Sequence, residues 1–255
     1  MPDLPVPTGR IEYLLAGSGE PVTIFAHGLG GSIAATRPLG SGVPGTRAFF
    51  HFRQHGGTRI DGHGFGYDVL AAELDAVATH VGASQALGVS LGAGALLRLA
   101  VADPHRFRRL VFFLPPALDR ARAGASAERA ERLLAATTAG IDAVEDLVID
   151  EVPPLFRHRP EAAAYVAERA RAVVRTREGL AELIGAAPIP DRAALRSVDL
   201  PCLVIGAAGD PLHDAGIARE LAAALPSARL HIFGDAWPVW NSRTELRALL
   251  AGFLR

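Results

Sequence analysis

The chain is predicted to be an α/β fold, a mainly parallel sheet with helices on both faces and a helical insertion, on three observations. Short apolar runs alternate with helical patterns along most of the 255 residues. The pentapeptide Gly88-Val89-Ser90-Leu91-Gly92 stands where one apolar run meets one helical run. Residues 118–194 carry helical sequence with no convincing strand. Strands that are apolar on both faces and separated by helices belong in a parallel sheet covered on both sides.

Taken in order, Ile11 to Leu15, ahead of the Gly17-Ser18-Gly19 turn, reads as an early and more exposed strand. Val22 to Ala26, Ala48 to Phe52, Ala86 to Val89, Leu110 to Leu114, Leu203 to Ile205 and Leu230 to Phe233 follow as strands. Helical periodicity covers Tyr67 to Val81, Leu91 to Val101, His213 to Ala224 and Arg243 to Phe253. From Leu118 to Ala194 the chain is rich in Ala, Arg and Glu and is punctuated by Pro153-Pro154, Pro160, Pro188 and Pro190. The division expected is a core of residues 1–117 and 195–255 with a helical cap over 118–194. Inserted between the strand ending near Leu114 and the one beginning near Leu203, this cap falls at the carboxyl edge of the sheet, where open α/β folds bind ligands. It is therefore expected to shape substrate access, the alternative being a helical hairpin with a solvated arginine face.

Composition narrows the partners. A net charge of −1 and a pI near 6.8 offer no counter-charge to nucleic acid or an anionic membrane, so a small-molecule substrate or ligand is expected. All 26 basic residues are arginine, which excludes a lysine-based mechanism. The single cysteine, Cys202, follows Pro201 in an apolar run and reads as a buried strand residue, so no disulfide framework is expected. The start Met1-Pro2-Asp3-Leu4-Pro5 lacks the basic and apolar stretches of a signal peptide, and no apolar run approaches ~20 residues. The expectation is a soluble cytoplasmic protein that uses no cofactor and no metal; oligomeric state is not legible.

The chemistry rests on the pentapeptide. A G-x-S-x-G between a strand and a helix is the signature of a nucleophile elbow, a turn so tight that Cβ atoms at positions 88 and 92 would collide with the adjoining strand and helix. Short Gly/Ser patterns also arise by chance, but the strand before and the helix after supply the context that chance lacks. Ser90 is the candidate nucleophile.

Three matches, in order along nearly the whole chain, make the sequence resemble the α/β-hydrolase superfamily. His27-Gly28-Leu29-Gly30-Gly31-Ser32 looks like the family's HGxxG oxyanion segment. The run from His51 to Thr58 is similar to its D-x-R-G-H-G-x-S loop, with His51 in place of Asp and Gln54 in place of the first Gly. The elbow is the third. The resemblance implies acyl transfer through Ser90, with backbone N–H groups of Leu29 and Leu91 as oxyanion donors. It also implies an acid at Asp210, which ends the run Leu203 to Asp210. Asp210 could instead cap the helix beginning near His213, with Asp119 as substitute acid.

The base is the departure. Family members carry the catalytic His in the loop after the last strand, and the matching stretch, Phe233 to Trp240, offers Trp237-Pro238 at that place. No histidine follows His231, which lies inside the strand. Four replacements remain open: His213, three residues beyond Asp210; His27, in the oxyanion loop; His158, in the cap; and the Asp235 carboxylate, if burial raises its pKa. Trp237 and Trp240, the only tryptophans, would either wall an apolar pocket beside Ser90 or fill the space of a histidine loop. Two functions follow: a hydrolase of a small ester, thioester or related substrate with a degenerate or displaced base, or a non-hydrolytic ligand-binding relative lacking a working triad.

Overall fold

The computed structural model describes residues 1–255 except His63. The strands are β1 (Asp3–Val6), β2 (Gly9–Ala16), β3 (Val22–Ala26), β4 (Thr46–Phe50), β5 (Arg59–Ile60), β6 (Gln85–Val89), β7 (Arg109–Phe113), β8 (Cys202–Ala207) and β9 (Ala228–Phe233). The helices are α1 (Ile33–Thr36), α2 (Tyr67–His80), α3 (Leu91–Ala102), α4 (Gly124–Ala139), α5 (Ile141–Val148), α6 (Pro160–Arg175), α7 (Arg177–Ile184), α8 (Ala215–Ala224), α9 (Pro238–Asn241) and α10 (Arg243–Phe253). The sheet runs in the order β1-β2-β4-β3-β6-β7-β8-β9, with β5 beside β2. Pairing is parallel from β4 to β9 and antiparallel where β2 meets β1, β4 and β5. This is the α/β-hydrolase fold the sequence predicts.

Side-chain alternation divides the interior. Ile24, Ala26, Ala86, Leu110, Phe112 and Val204 pack with α2, α3 and α8 on one face. Phe25, Leu87, Val111, Phe113, Leu203 and Ile205 point the other way, onto Ile33 of α1 and Leu246, Leu250 and Phe253 of α10. Period-two alternation of a strand apolar at every position requires a cover on each face, and each cover is present. Cys202 is a free, buried thiol in β8. Helices α4 to α7 share a separate apolar cluster of Leu133, Val144, Val148, Val166, Val173 and Leu180, against which Leu29 and Trp240 pack. No helix among the described residues is long and apolar enough to cross a membrane.

Three local differences from the sequence reading have physical causes. Asp3–Val6 is a strand although Pro5 lies within it, because the hairpin with β2 leaves it at the sheet edge, where a missing N–H is tolerated. Arg59–Ile60 adds a short pairing to β2. Helix α8 begins at Ala215 rather than His213, since the Asp214 carboxylate caps it by accepting the Gly216 N–H at 2.8 Å. That releases both Asp210 and His213 from the helix.

The elbow depends on two absent side chains. A Cβ on Gly88 would stand 2.3 Å from the Gly92 carbonyl oxygen, and one on Gly92 would stand 2.4 Å from that of Ala26. Both obstacles are backbone, so neither can swing away. Gly88→Ala and Gly92→Ala are each expected to lower unfolding free energy by ~3 kcal/mol or more. Gly252→Ala, in α10 with open space around the new methyl, should instead add about 0.5–1 kcal/mol. Urea unfolding of the three variants checks the contrast.

Candidate functional site

Ser90 occupies the turn from β6 into α3 with φ 50° and ψ −111°, and it is partly exposed. A left-handed φ costs a non-glycine residue about 1–3 kcal/mol, and such strain persists only where surrounding structure enforces it. Here the Ser90 N–H is tied to the Phe113 carbonyl at 2.9 Å, and the Ser90 carbonyl accepts from Gly94 N–H at 3.0 Å. The side chain is thereby lifted out of the turn at the carboxyl edge of the sheet.

The loop after β8 supplies the partners. The His213 Nε2 lies 2.8 Å from Ser90 Oγ, and His213 Nδ1 lies 3.1 Å from each carboxylate oxygen of Asp210. A proton on Nδ1 satisfies the carboxylate and leaves Nε2 as acceptor for the serine hydroxyl. The Asp210 carboxylate also accepts the backbone N–H groups of Leu212 at 2.8 Å and His213 at 3.0 Å, which closes the short chain between acid and imidazole into a tight turn. Burial alone would raise the Asp210 pKa, but His213 and the two N–H groups outweigh it and hold the carboxyl below its ordinary value. Outside this turn, the Leu212 carbonyl accepts from Arg122 and, at 3.0 Å, from Ser126 Oγ. The turn is thus anchored to the beginning of the helical segment.

The glycine-rich loop after β3 also meets Ser90. Gly28 is so close that an added Cβ would touch Ser90 Cβ at 3.4 Å. The turn Gly28–Gly31 is closed by Gly31 N–H donating to the Gly28 carbonyl at 2.8 Å. Among the described residues, neither the Leu29 N–H nor the Leu91 N–H donates to a protein acceptor. Free donors beside a serine that bonds an imidazole are the parts that nucleophilic acyl transfer requires.

Three buried histidines hold this segment in place, each by its Nε2. His27 accepts the Phe52 N–H at 3.1 Å, His51 the Ile33 N–H at 3.0 Å and His55 the Gly30 N–H at 2.8 Å. Their Nδ1 atoms face the Gly28 carbonyl at 2.7 Å, the Glu12 carboxylate at 2.7 Å and the Arg53 carbonyl at 2.7 Å respectively. Every ring nitrogen is committed, so His27 has none left to act as base. Burial pushes all three pKa values down: His27 well below its ordinary range, His51 less so because Glu12 opposes the shift, and His55 to about 4.

The remaining candidates have other partners. Asp119 forms a two-pronged pair with Arg192, at 2.8 and 2.9 Å. Asp235 accepts the Trp237 N–H at 2.8 Å and the Asn241 side-chain amide at 3.1 Å. The Trp237 indole donates to the Asp150 carbonyl at 2.9 Å, and Trp240 stacks on Phe156 with Tyr165 edge-on. His231 pairs with Glu245 at 3.5 Å, and His158 is exposed. Of the candidate bases, His213 is the one in contact with Ser90.

Sequence reasoning missed Glu12, Arg122, Ser126 and Arg169. Nothing in local spacing marks them, because each bonds a backbone group or a histidine far away in the chain. His51, where the family pattern has Asp, finds its partner in the Glu12 carboxylate. Gln54, which replaces the family glycine, keeps the left-handed backbone with φ 60°. Among the described residues, no group of His, Cys, Asp and Glu is arranged to hold a metal ion.

The model of the alpha/beta hydrolase fold family matches residues 21–237. No curated protein sequence matches the chain. Its structure is similar to that of an enol-lactonase from Burkholderia xenovorans LB400, with a TM-score of 0.84, 19% identity and 99% of each chain covered. It is also similar to an esterase from Exiguobacterium antarcticum, with a TM-score of 0.82, 14% identity and 96% of each chain covered. A hydrolase from Pseudomonas aeruginosa PA01 superimposes with a TM-score of 0.79 at 24% identity, over 99% of this chain and 97% of that one.

The neutral histidines make stability depend on pH. His55 takes its proton near pH 4 when folded but near 6.5 when unfolded, so the unfolded chain binds more protons between those values. Stability is fully present above about pH 6.5 and falls as pH drops toward 4, by on the order of 3 kcal/mol from His55 alone. His55→Gln, whose side-chain oxygen can still accept the Gly30 N–H, should flatten that fall. Chemical denaturation of both proteins at several pH values between 4 and 7 checks it.

Proposed function

We propose, from the premise that this chain belongs to the alpha/beta hydrolase fold family, that it is a serine hydrolase of small carboxylic esters, thioesters or lactones. The observation that carries this reading is the 2.8 Å contact between His213 Nε2 and Ser90 Oγ. A serine hydroxyl is a weak nucleophile at neutral pH until a base takes its proton, and His213 is within hydrogen-bond reach of that proton. The esterase and the enol-lactonase among its structural neighbours act, by their names, on the same kind of bond.

In the acylation step, Ser90 Oγ attacks the carbonyl carbon while His213 Nε2 takes the hydroxyl proton. The negative charge developing on the carbonyl oxygen is met by the N–H groups of Leu29 and Leu91. His213 then returns the proton to the departing alkoxide or thiolate, leaving Ser90 acylated. Water attacks the acyl group in a second round, giving its proton to His213, and collapse of that intermediate releases the carboxylic acid and restores the Ser90 hydroxyl. Asp210 keeps the imidazole in the Nδ1–H form and stabilises the imidazolium formed in each round. All of these steps use groups of the chain itself. We read residues 118–194 as a cap, and its hold on both the Leu212 carbonyl and the aromatic residues after β9 as what keeps it seated over Ser90.

Three single variants test the roles. On a p-nitrophenyl ester panel, Ser90→Ala and His213→Ala should each lower kcat by about 10⁴ to 10⁶-fold, and the double variant should lose no more than either single one. Asp210→Asn should cost roughly 10⁴-fold. A fluorophosphonate should label the wild type at Ser90. Wild-type turnover unchanged by His213→Ala would remove the histidine from the base role. Equal rates for wild type and Ser90→Ala would remove the hydrolase reading itself.

A further inference from the structure

The turn Gly28–Gly31 has a central peptide, Leu29–Gly30, that is gripped at both edges. Its carbonyl accepts from Arg169 NH1 at 2.6 Å, and its N–H donates to His55 Nε2 at 2.8 Å. Gly30 has φ +64° and Leu29 has no positive φ, the arrangement of a type II turn. Type I and type II turns differ by a flip of this central peptide. A flip here would take the carbonyl off Arg169 and the N–H off His55 together. Gly30 also lets the guanidinium approach, since a Cβ there would lie 2.3 Å from Arg169 NH1.

Arg169 comes from α6, in the helical segment, far from the turn in sequence. Its side chain is only 17% exposed, and it is oriented by Glu151, whose carboxylate accepts from Arg169 Nε at 3.0 Å and from the Tyr165 hydroxyl at 2.5 Å. A buried guanidinium needs such a counter-charge, and a long side chain held by both ends has one geometry left.

We propose that Arg169 is a positioning residue for the oxyanion hole, by which the helical segment locks the Leu29–Gly30 peptide in its type II orientation beside Ser90. The proposal rests on the hydrolase reading above. The Leu29 N–H itself belongs to the adjoining peptide and stays free, and its direction is set by the same Leu29 Cα that carries the clamped carbonyl. His55 holds this peptide from the core and Arg169 from the helical segment, so a seated segment and a formed oxyanion hole go together.

The test compares wild type with Arg169→Lys, which keeps a cation for Glu151 but loses the second nitrogen that reaches Leu29, and with Arg169→Met. The expected result is a fall in kcat of roughly 10 to 100-fold with KM within about two-fold, the pattern of an interaction felt in the transition state. A trifluoromethyl ketone, which forms an oxyanion on Ser90, should lose affinity by the same factor. Amide hydrogen exchange of residues 28–31 should speed up by about ten-fold in either variant, a readout that needs no turnover. If Arg169→Met does not fold, Arg169→Lys carries all three measurements. A folded Arg169→Lys with wild-type kcat, inhibitor affinity and exchange overturns the clamp, as does a loss confined to KM. Absence of fluorophosphonate labelling in the wild type would instead overturn the hydrolase reading, and the exchange rates would then decide the clamp alone.

Discussion

The contact on which the rest of the site depends is the crossing of α3 over the ends of β3 and β6. Gly88 and Gly92 let backbone meet backbone there, with no room for a methyl group on either residue. Because the helix starts that close to the sheet, Ser90 is forced into a left-handed turn and its hydroxyl is lifted clear of the chain. The same closeness brings Gly28 against Ser90. Strain at Ser90 and its juxtaposition with Gly28 are therefore one effect of one packing arrangement.

Around this crossing, the protein satisfies its buried backbone with imidazoles rather than with strand ladders. The segment from Gly28 to Ile33 leaves the sheet, so its N–H groups have no strand partner and would be costly to bury bare. His51 and His55 accept two of them, and His27 returns the favour to the loop after β4. Such bonds exist only while the rings are neutral, since a protonated ring has two donors and no acceptor. Burial enforces neutrality, and it does so at the expense of stability in acid.

The Asp210 carboxylate and the His213 imidazole share one short turn in the loop after β8. Asp210 folds the turn by accepting the N–H groups of Leu212 and His213, which swings the His213 ring across its own carboxylate and toward Ser90. Asp214 caps α8 in its place, so the helix does not compete for Asp210. The stretch after β9 is then free for other contacts, and Trp237 and Trp240 fasten it to the helical segment. The helical segment in turn reaches both loops beside Ser90, through Ser126 at the Leu212 carbonyl and Arg169 at the Leu29 carbonyl.

What was legible in the sequence was local. Apolar runs of strand length alternating with helices specify a parallel sheet with covered faces, and Gly88, Ser90 and Gly92 specify the elbow, because these patterns express steric rules that act within a few residues. The glycine-rich loop after β3 and Asp210 beyond the end of β8 were legible through the resemblance to the α/β-hydrolase pattern, not through such rules. Tertiary structure alone decided which histidine meets Ser90, for the two residues between Asp210 and His213 admit many conformations, and the cap at Asp214 and the hold on Leu212 accompany the one observed. It also decided the pairing of Glu12 with His51 and of Arg169 with Leu29. A hydrogen bond spanning scores of residues leaves no period or spacing in the chain, since its partners are brought together by the packing of whole elements.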